Sequence, residues 1–221
     1  KKGKVTIKTR RHPGNAQNQS TSGKDKPAQT GEKKQILAHN RVKQYILKEN
    51  TPVPFLVDLG VMNKEGRIIT QKYDKFRQIN RFLQLLAEVY PQLPQSGTLR
   101  VCDLCCGKSY LTFAVYTYLT EIMGREVEMC GMDLKQDVIA FCQKTADALQ
   151  CRGMHFVCGD IGNYTPAQPP HLIISLHACD TATDLVLYHA TRLGAKVILS
   201  TPCCHHEMFH QLNAGPCDSA L

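Results

Sequence analysis

From residue 99 onward the chain alternates short apolar runs with amphipathic stretches, and the alternation is regular. Arg100 to Leu104 alternates and then runs apolar apart from Asp103, the pattern of a central parallel strand covered on both faces. Tyr110 to Leu119 then places Leu111, Val115, Tyr118 and Leu119 on one helical face. Further strands are predicted at 127–132, 154–158, 171–176 and 196–201. Helices are predicted over 136–150 and 181–193, with another starting near His205. Strand and helix in strict alternation predict an α/β fold with a doubly wound parallel sheet. The residues after His210 are too few for two more strands, so the sheet is expected to be truncated at its C-terminal edge.

Upstream, residues 72–89 predict a strong amphipathic helix. Phe76, Ile79, Phe82, Leu83 and Leu86 form its apolar stripe, and Lys72, Lys75, Arg77, Gln78 and Arg81 its polar face. Asn40 can cap a helix running to about Lys48, which Pro52 and Pro54 end. Phe55 to Met62 is apolar, and Asn63 to Gly66 reads as a turn. Residues 12–34 have no apolar periodicity and read as a disordered linker, whereas Lys4 to Lys8 alternates like the last strand of an upstream domain. The expected organisation is a basic tail over 1–34, a helical or extended lead-in over 35–71, and a ligand-binding domain over 72–221 that is incomplete at its C-terminus. The chain starts without a methionine and stops soon after the fifth strand, as a piece of a longer protein would.

Charge sharpens this division. The net charge of +8 lies entirely in residues 1–34, which hold ten Lys/Arg and two acids, while the remainder carries 17 basic and 17 acidic residues. A basic tail of this kind attracts nucleic acid. No apolar run approaches the ~20 residues that span a bilayer, and the start is too basic and polar for a signal peptide. The eleven cysteines lack the spacing of a disulfide framework. Reduced thiols and a cytoplasmic location, nuclear in a eukaryote, are the expectation.

The candidate chemistry begins at the turn Cys105-Cys106-Gly107-Lys108-Ser109 between the first strand and its helix. Such a turn brings backbone N–H groups close to a ligand. Asp103 ends the first strand, Asp133 follows the second, and Gly159-Asp160-Ile161 follows the third. Acids without a basic fork point to a nucleoside ligand that carries no phosphate. Gly107-Lys108-Ser109 does not complete a phosphate-binding loop, because Cys102 stands where that loop needs its first glycine.

The order Asp103, Gly107, Asp133, Asp160 resembles the class I S-adenosylmethionine (SAM)-dependent methyltransferases, on a Rossmann-like sheet. The resemblance implies SAM as cofactor and S-adenosylhomocysteine (SAH) as product. It implies a glycine turn beneath the methionine part, Asp133 on the ribose and Asp160 beside the adenine. Cys105 and Ser109 depart from the family, which usually has glycine at both positions; small side chains there still permit a close approach. Lys75 and Gln78 are further expected cofactor contacts, because their helix leads directly into the first strand.

Chemistry is expected at the carboxyl ends of the fourth and fifth strands, where Leu176 to Asp184 and Ser200 to Glu207 lie. A His/Cys loop ending in Ala182-Thr183-Asp184 and a Cys203-Cys204-His205-His206 run resemble a narrower group over residues 72–210. That group comprises bacterial methyltransferases of unassigned substrate, the methyltransferase-like 25 proteins and the tRNA acceptor-stem 2′-O-methyltransferases. It implies an RNA acceptor, tRNA or rRNA; a protein acceptor and a non-catalytic RNA-binding scaffold are the alternatives. For oxygen methylation, His177, His205 or His206 supplies a base, with Asp180 orienting it and His177 also near the cofactor. For cytosine C5 methylation, Cys179 and Cys203 lie at corresponding strand ends, but the acid and proline that usually flank the first are missing. Ser175-Leu176-His177-Ala178 does not match the loop used for adenine amino groups. Cys203, Cys204, His205 and His206 are zinc-type ligands, yet adjacent residues seldom all turn toward one ion, so no metal is expected.

Overall fold

The structure, a computed structural model, describes residues 45–176, 178 and 181–201. Five strands form one wholly parallel sheet: β1 (Leu99–Leu104), β2 (Val127–Asp133), β3 (Met154–Cys158), β4 (Leu172–Ser175) and β5 (Val197–Ser200). Their order is β3-β2-β1-β4-β5. Val101 lies opposite both Met129 and Leu172, which makes β1 the central strand. The order reverses between β1 and β4, and the crevice beyond their carboxyl ends is where sheets of this kind take ligands. This is the doubly wound, Rossmann-like sheet that the alternation predicts, and each predicted strand falls within a residue or two of its observed span.

The helices are α1 (Pro54–Asp58), α2 (Tyr73–Val89), α3 (Tyr110–Thr117), α4 (Gln136–Ala148) and α5 (Thr181–Arg192). Leu99, Val101, Met129 and Ile174 share one core with α2, α3 and Ala146 of α4. On the other face, Cys102, Leu104, Met132 and Ile173 pack against Val186 and Ala190 of α5. The five stripe residues of α2 are all buried. Helix α3 is buried well beyond one face, since Leu111, Thr112, Phe113, Ala114 and Val115 are all inside. It is clamped between the sheet and α1 and α2, and Phe113 stacks on Phe55 with centroids 6.5 Å apart. Its last turn widens into a π-helix over Tyr118–Ile122.

The lead-in differs from expectation. Residues 45–50, the described part around the predicted helix end at Lys48, run as bends and a turn. The cause is tertiary. The Leu47 N–H donates to Asn80 Oδ1 at 2.8 Å, and Asn50, at φ +60°, donates its N–H to the Gly66 carbonyl at 2.8 Å. The turn at Asn63 to Gly66 forms as expected, with the Gly66 N–H on the Asn63 carbonyl at 3.0 Å. Glycine is required there, because φ is +82° and a Cβ would lie 2.7 Å from the backbone of Asn50 and Thr51. Leu47, Val53, Phe55 and Leu56 thereby join the core under α2 and α3. Among the described residues no helix is long and apolar enough to cross a membrane.

Asn80 is fully buried and holds the lead-in through its bond to Leu47, while its Nδ2 donates to the Phe76 carbonyl at 3.3 Å. Asn80→Ala leaves a buried N–H without a partner, and is expected to lower unfolding free energy by roughly 1–3 kcal/mol in urea titration.

Candidate functional site

The glycine turn leaves β1 at the switch point and runs over the end of β2. The Cys106 N–H donates to the Met132 carbonyl at 2.8 Å, and the Gly107 N–H donates to Asp133 Oδ2 at 2.9 Å. Asp133 Oδ1 accepts from the Lys135 N–H at 3.1 Å, and its carbonyl accepts from the Gly159 N–H at 3.1 Å. Asp133, half-buried at the end of β2, thus gathers the first turn and the start of α4 through its carboxylate and the segment after β3 through its carbonyl.

Backbone geometry explains why glycines are expected along this turn. Cys105, Gly107 and Ser109 have φ of +66°, +52° and +57°, all in the left-handed region. Two of the three positions carry side chains nonetheless, at a cost of about 1–2 kcal/mol each. Cys105 is half-buried on the open side. Burial first, then Asp133, Asp103 and Asp160, pushes its thiol up to about 11. All three strand-end acids therefore act on one sulfur.

Asp103 is fully buried behind the turn, on the α3 side of β1. Thr112 Oγ1 donates to its Oδ2 at 2.5 Å, whereas Oδ1 is buried without a partner. Desolvation raises the carboxyl from its ordinary 3.8 to about 7, with the Thr112 bond opposing and Cys142 and Asp133 adding to the rise. Asp160, more exposed, accepts the Gly162 N–H at 2.8 Å and opens the short 3-10 turn Ile161–Asn163.

Lys75 and Gln78 meet one another, with Nζ 2.9 Å from Oε1, and Lys75 sits 5.2 Å from the Tyr110 ring centroid. Tyr110 is the first residue of α3, so the pair flanks the exit of the glycine turn. Burial, and then the neighbouring Lys72, lowers the Lys75 pKa. The polar face of α2 stays half-buried or exposed.

Of the acceptor-side candidates, His177, Asp180, Cys203, His205 and His206 lie outside the described residues. The strand ends that carry them are adjacent. Ser175 of β4 lies opposite Ser200 of β5, and the Thr201 N–H donates to the Ser175 carbonyl at 3.1 Å. Thr183 Oγ1 reaches back to the Ala178 carbonyl at 2.9 Å. Both serine hydroxyls are buried and have no partner among the described residues. Among the described residues no cluster of His, Cys, Asp or Glu can hold a metal ion.

The structure adds residues that sequence patterning passed over. Thr112 and Tyr110 were legible only as part of an apolar helix, and Cys142 as a filler on α4. A separate hollow of about 320 Å³ opens beside Cys102, Cys130, His155 and Tyr164, and contains none of the candidate residues.

A family model described as a methyltransferase domain matches residues 74–211. No curated protein matches the chain in sequence. Among solved structures, the chain is similar to a SAM-dependent methyltransferase from Thiobacillus denitrificans in complex with SAH. The identity is 20% and the TM-score 0.36, over 48% of this chain and 43% of that one. It is also similar to magnesium protoporphyrin IX methyltransferase from Synechocystis PCC 6803 with bound SAH. There the identity is 15% and the TM-score 0.42, over 58% of this chain and 57% of that one. The chain thus spans about half the length of these two structures.

The raised Asp103 pKa has a measurable consequence. The folded chain keeps this proton up to about pH 7, while the unfolded chain releases it near 3.8. The contribution to stability is fully present below the unfolded value and is lost as pH rises through the folded one. Between pH 4 and 7, the urea midpoint of the wild type is expected to fall relative to that of Asp103→Asn. Parallel curves for the two proteins would contradict a buried, protonated Asp103.

Proposed function

The chain belongs to the methyltransferase-domain family, as a class I SAM-dependent domain, and we propose that it methylates an oxygen of RNA. The observation that carries the cofactor site is the bond from the Gly107 N–H to Asp133, with Asp103 and Asp160 around the same turn. These residues suit SAM. Asp133 would hold the two ribose hydroxyls, and Asp160 would lie beside the adenine. The unpartnered Asp103 Oδ1 suits the methionine ammonium. Lys75, steadied by Gln78 and the Tyr110 ring, suits its carboxylate. Cys105 and Ser109, both with φ in the left-handed region, stand where the family usually has glycine.

When bound, SAM supplies an electrophilic methyl group on a sulfonium sulfur. The chain's part is to orient the acceptor oxygen and remove its proton. A neutral imidazole does this near neutral pH, and His177, His205 and His206 follow the adjacent ends of β4 and β5. Asp180 orients one of them. An RNA acceptor is supported by the +8 charge of residues 1–34 and by the resemblance to tRNA acceptor-stem 2′-O-methyltransferases.

Two outcomes test this reading. By calorimetry, Asp133→Ala is expected to weaken SAH binding by roughly 1–3 kcal/mol, and Gly107→Leu to abolish it; unchanged affinity in both would sink the cofactor site. In transfer of labelled methyl groups from SAM to total RNA and total protein, label is expected in RNA. Replacing His177, His205 or His206 should lower that transfer, and Cys203→Ser should be mild. A denaturation-resistant protein–RNA adduct in a cysteine variant would instead assign covalent cytosine chemistry.

A further inference from the structure

Beneath the glycine turn lies a pair of thiols that the proposed transfer does not use. Cys106, within the turn, and Cys142, on α4, are both buried. Their sulfurs lie 3.8 and 3.5 Å from the same oxygen, the Gly107 carbonyl, so the two thiols share one acceptor. Ser109 closes the cluster, with its hydroxyl 3.4 Å from that carbonyl. Ser109 is also one of the two non-glycine residues of the turn held in the left-handed region. Glycine at that position would relieve the strain but leave the thiols without their hydroxyl. Strain retained where a side chain completes a reactive cluster points to a use for that cluster.

We propose that Cys106 and Cys142 form a reversible disulfide under hydroperoxide, locking the glycine turn to α4 and suppressing cofactor binding; this rests on the cofactor reading above. The neighbouring Cys106 thiol, and then the Ser109 hydroxyl, draws the Cys142 thiol down despite burial, while the Cys106 thiol is pushed up. Cys142 is therefore the first nucleophile. Its thiolate attacks one peroxide oxygen, the O–O bond breaks, and the hydroxide expelled takes up the proton the thiol released and leaves as water, with a sulfenic acid left on Cys142. The Cys106 sulfur then attacks the sulfenic sulfur, and the hydroxide expelled takes the Cys106 proton and leaves as water. Two thiols lose two electrons and one hydroperoxide gains them. Both S–H groups beside the Gly107 carbonyl disappear, and the sulfurs close to bonding distance. The turn shifts, and with it the Gly107 N–H that Asp133 holds.

The full chain is treated with hydrogen peroxide, mapped by non-reducing peptide mass spectrometry, and titrated with SAH before oxidation, after it and after thiol reduction. A Cys106–Cys142 linked peptide is expected, with SAH affinity at least about tenfold weaker and restored by the reductant. Cys142→Ser, treated in parallel, is expected to keep its own pre-treatment affinity. Absence of the linked peptide overturns the bond, and a linked peptide with undiminished affinity overturns the switch. If the reduced protein binds no SAH, the cofactor reading and the switch that rests on it both fall, while the linked peptide still decides the bond.

Discussion

One hydrogen bond organises the working end of this molecule: the Gly107 N–H to the Asp133 carboxylate, 2.9 Å long. It ties the loop leaving the central strand to the end of its neighbour. Because Asp133 also takes the Lys135 N–H and gives its carbonyl to Gly159, three crossovers meet at one residue. A parallel sheet leaves every crossover loop at its ends, and each must satisfy its own backbone groups. A single carboxylate satisfies several here, and it remains half-buried and open to a ligand.

The turn is held open at some energetic cost. Its conformation is the one glycine adopts freely, yet only Gly107 is glycine. Ser109 contributes a hydroxyl to the sulfur cluster below, and Cys105 places a thiol among three acids. Behind the turn, Asp103 is buried and accepts a hydrogen bond from Thr112, in an interior that favours its neutral form. The region thus stores strain and an incompletely paired carboxyl at the point where a ligand would arrive. Strain and unpaired polar groups persist when the surrounding packing over-determines them. Helix α3, inside on nearly every side, supplies that packing.

The sequence alone determined the alternation of strands and helices, the stripe on α2, the turn at Asn63 to Gly66, and the acids at the strand ends. These signals are local: a parallel strand buried on both faces must be apolar, and a helix with one wet face must repeat every 3.6 residues. The charge division was legible for the same reason, since it needs only counting. Tertiary structure decided whatever depends on a distant partner. The helix predicted to reach Lys48 has no such form in its described part, because the Leu47 N–H is taken by Asn80 on α2. The bond from Thr112 to Asp103, the lysine over Tyr110 and the pairing of Cys106 with Cys142 each join residues from different elements. Periodicity records which face of an element is buried, and not which neighbour the fold will bring against it.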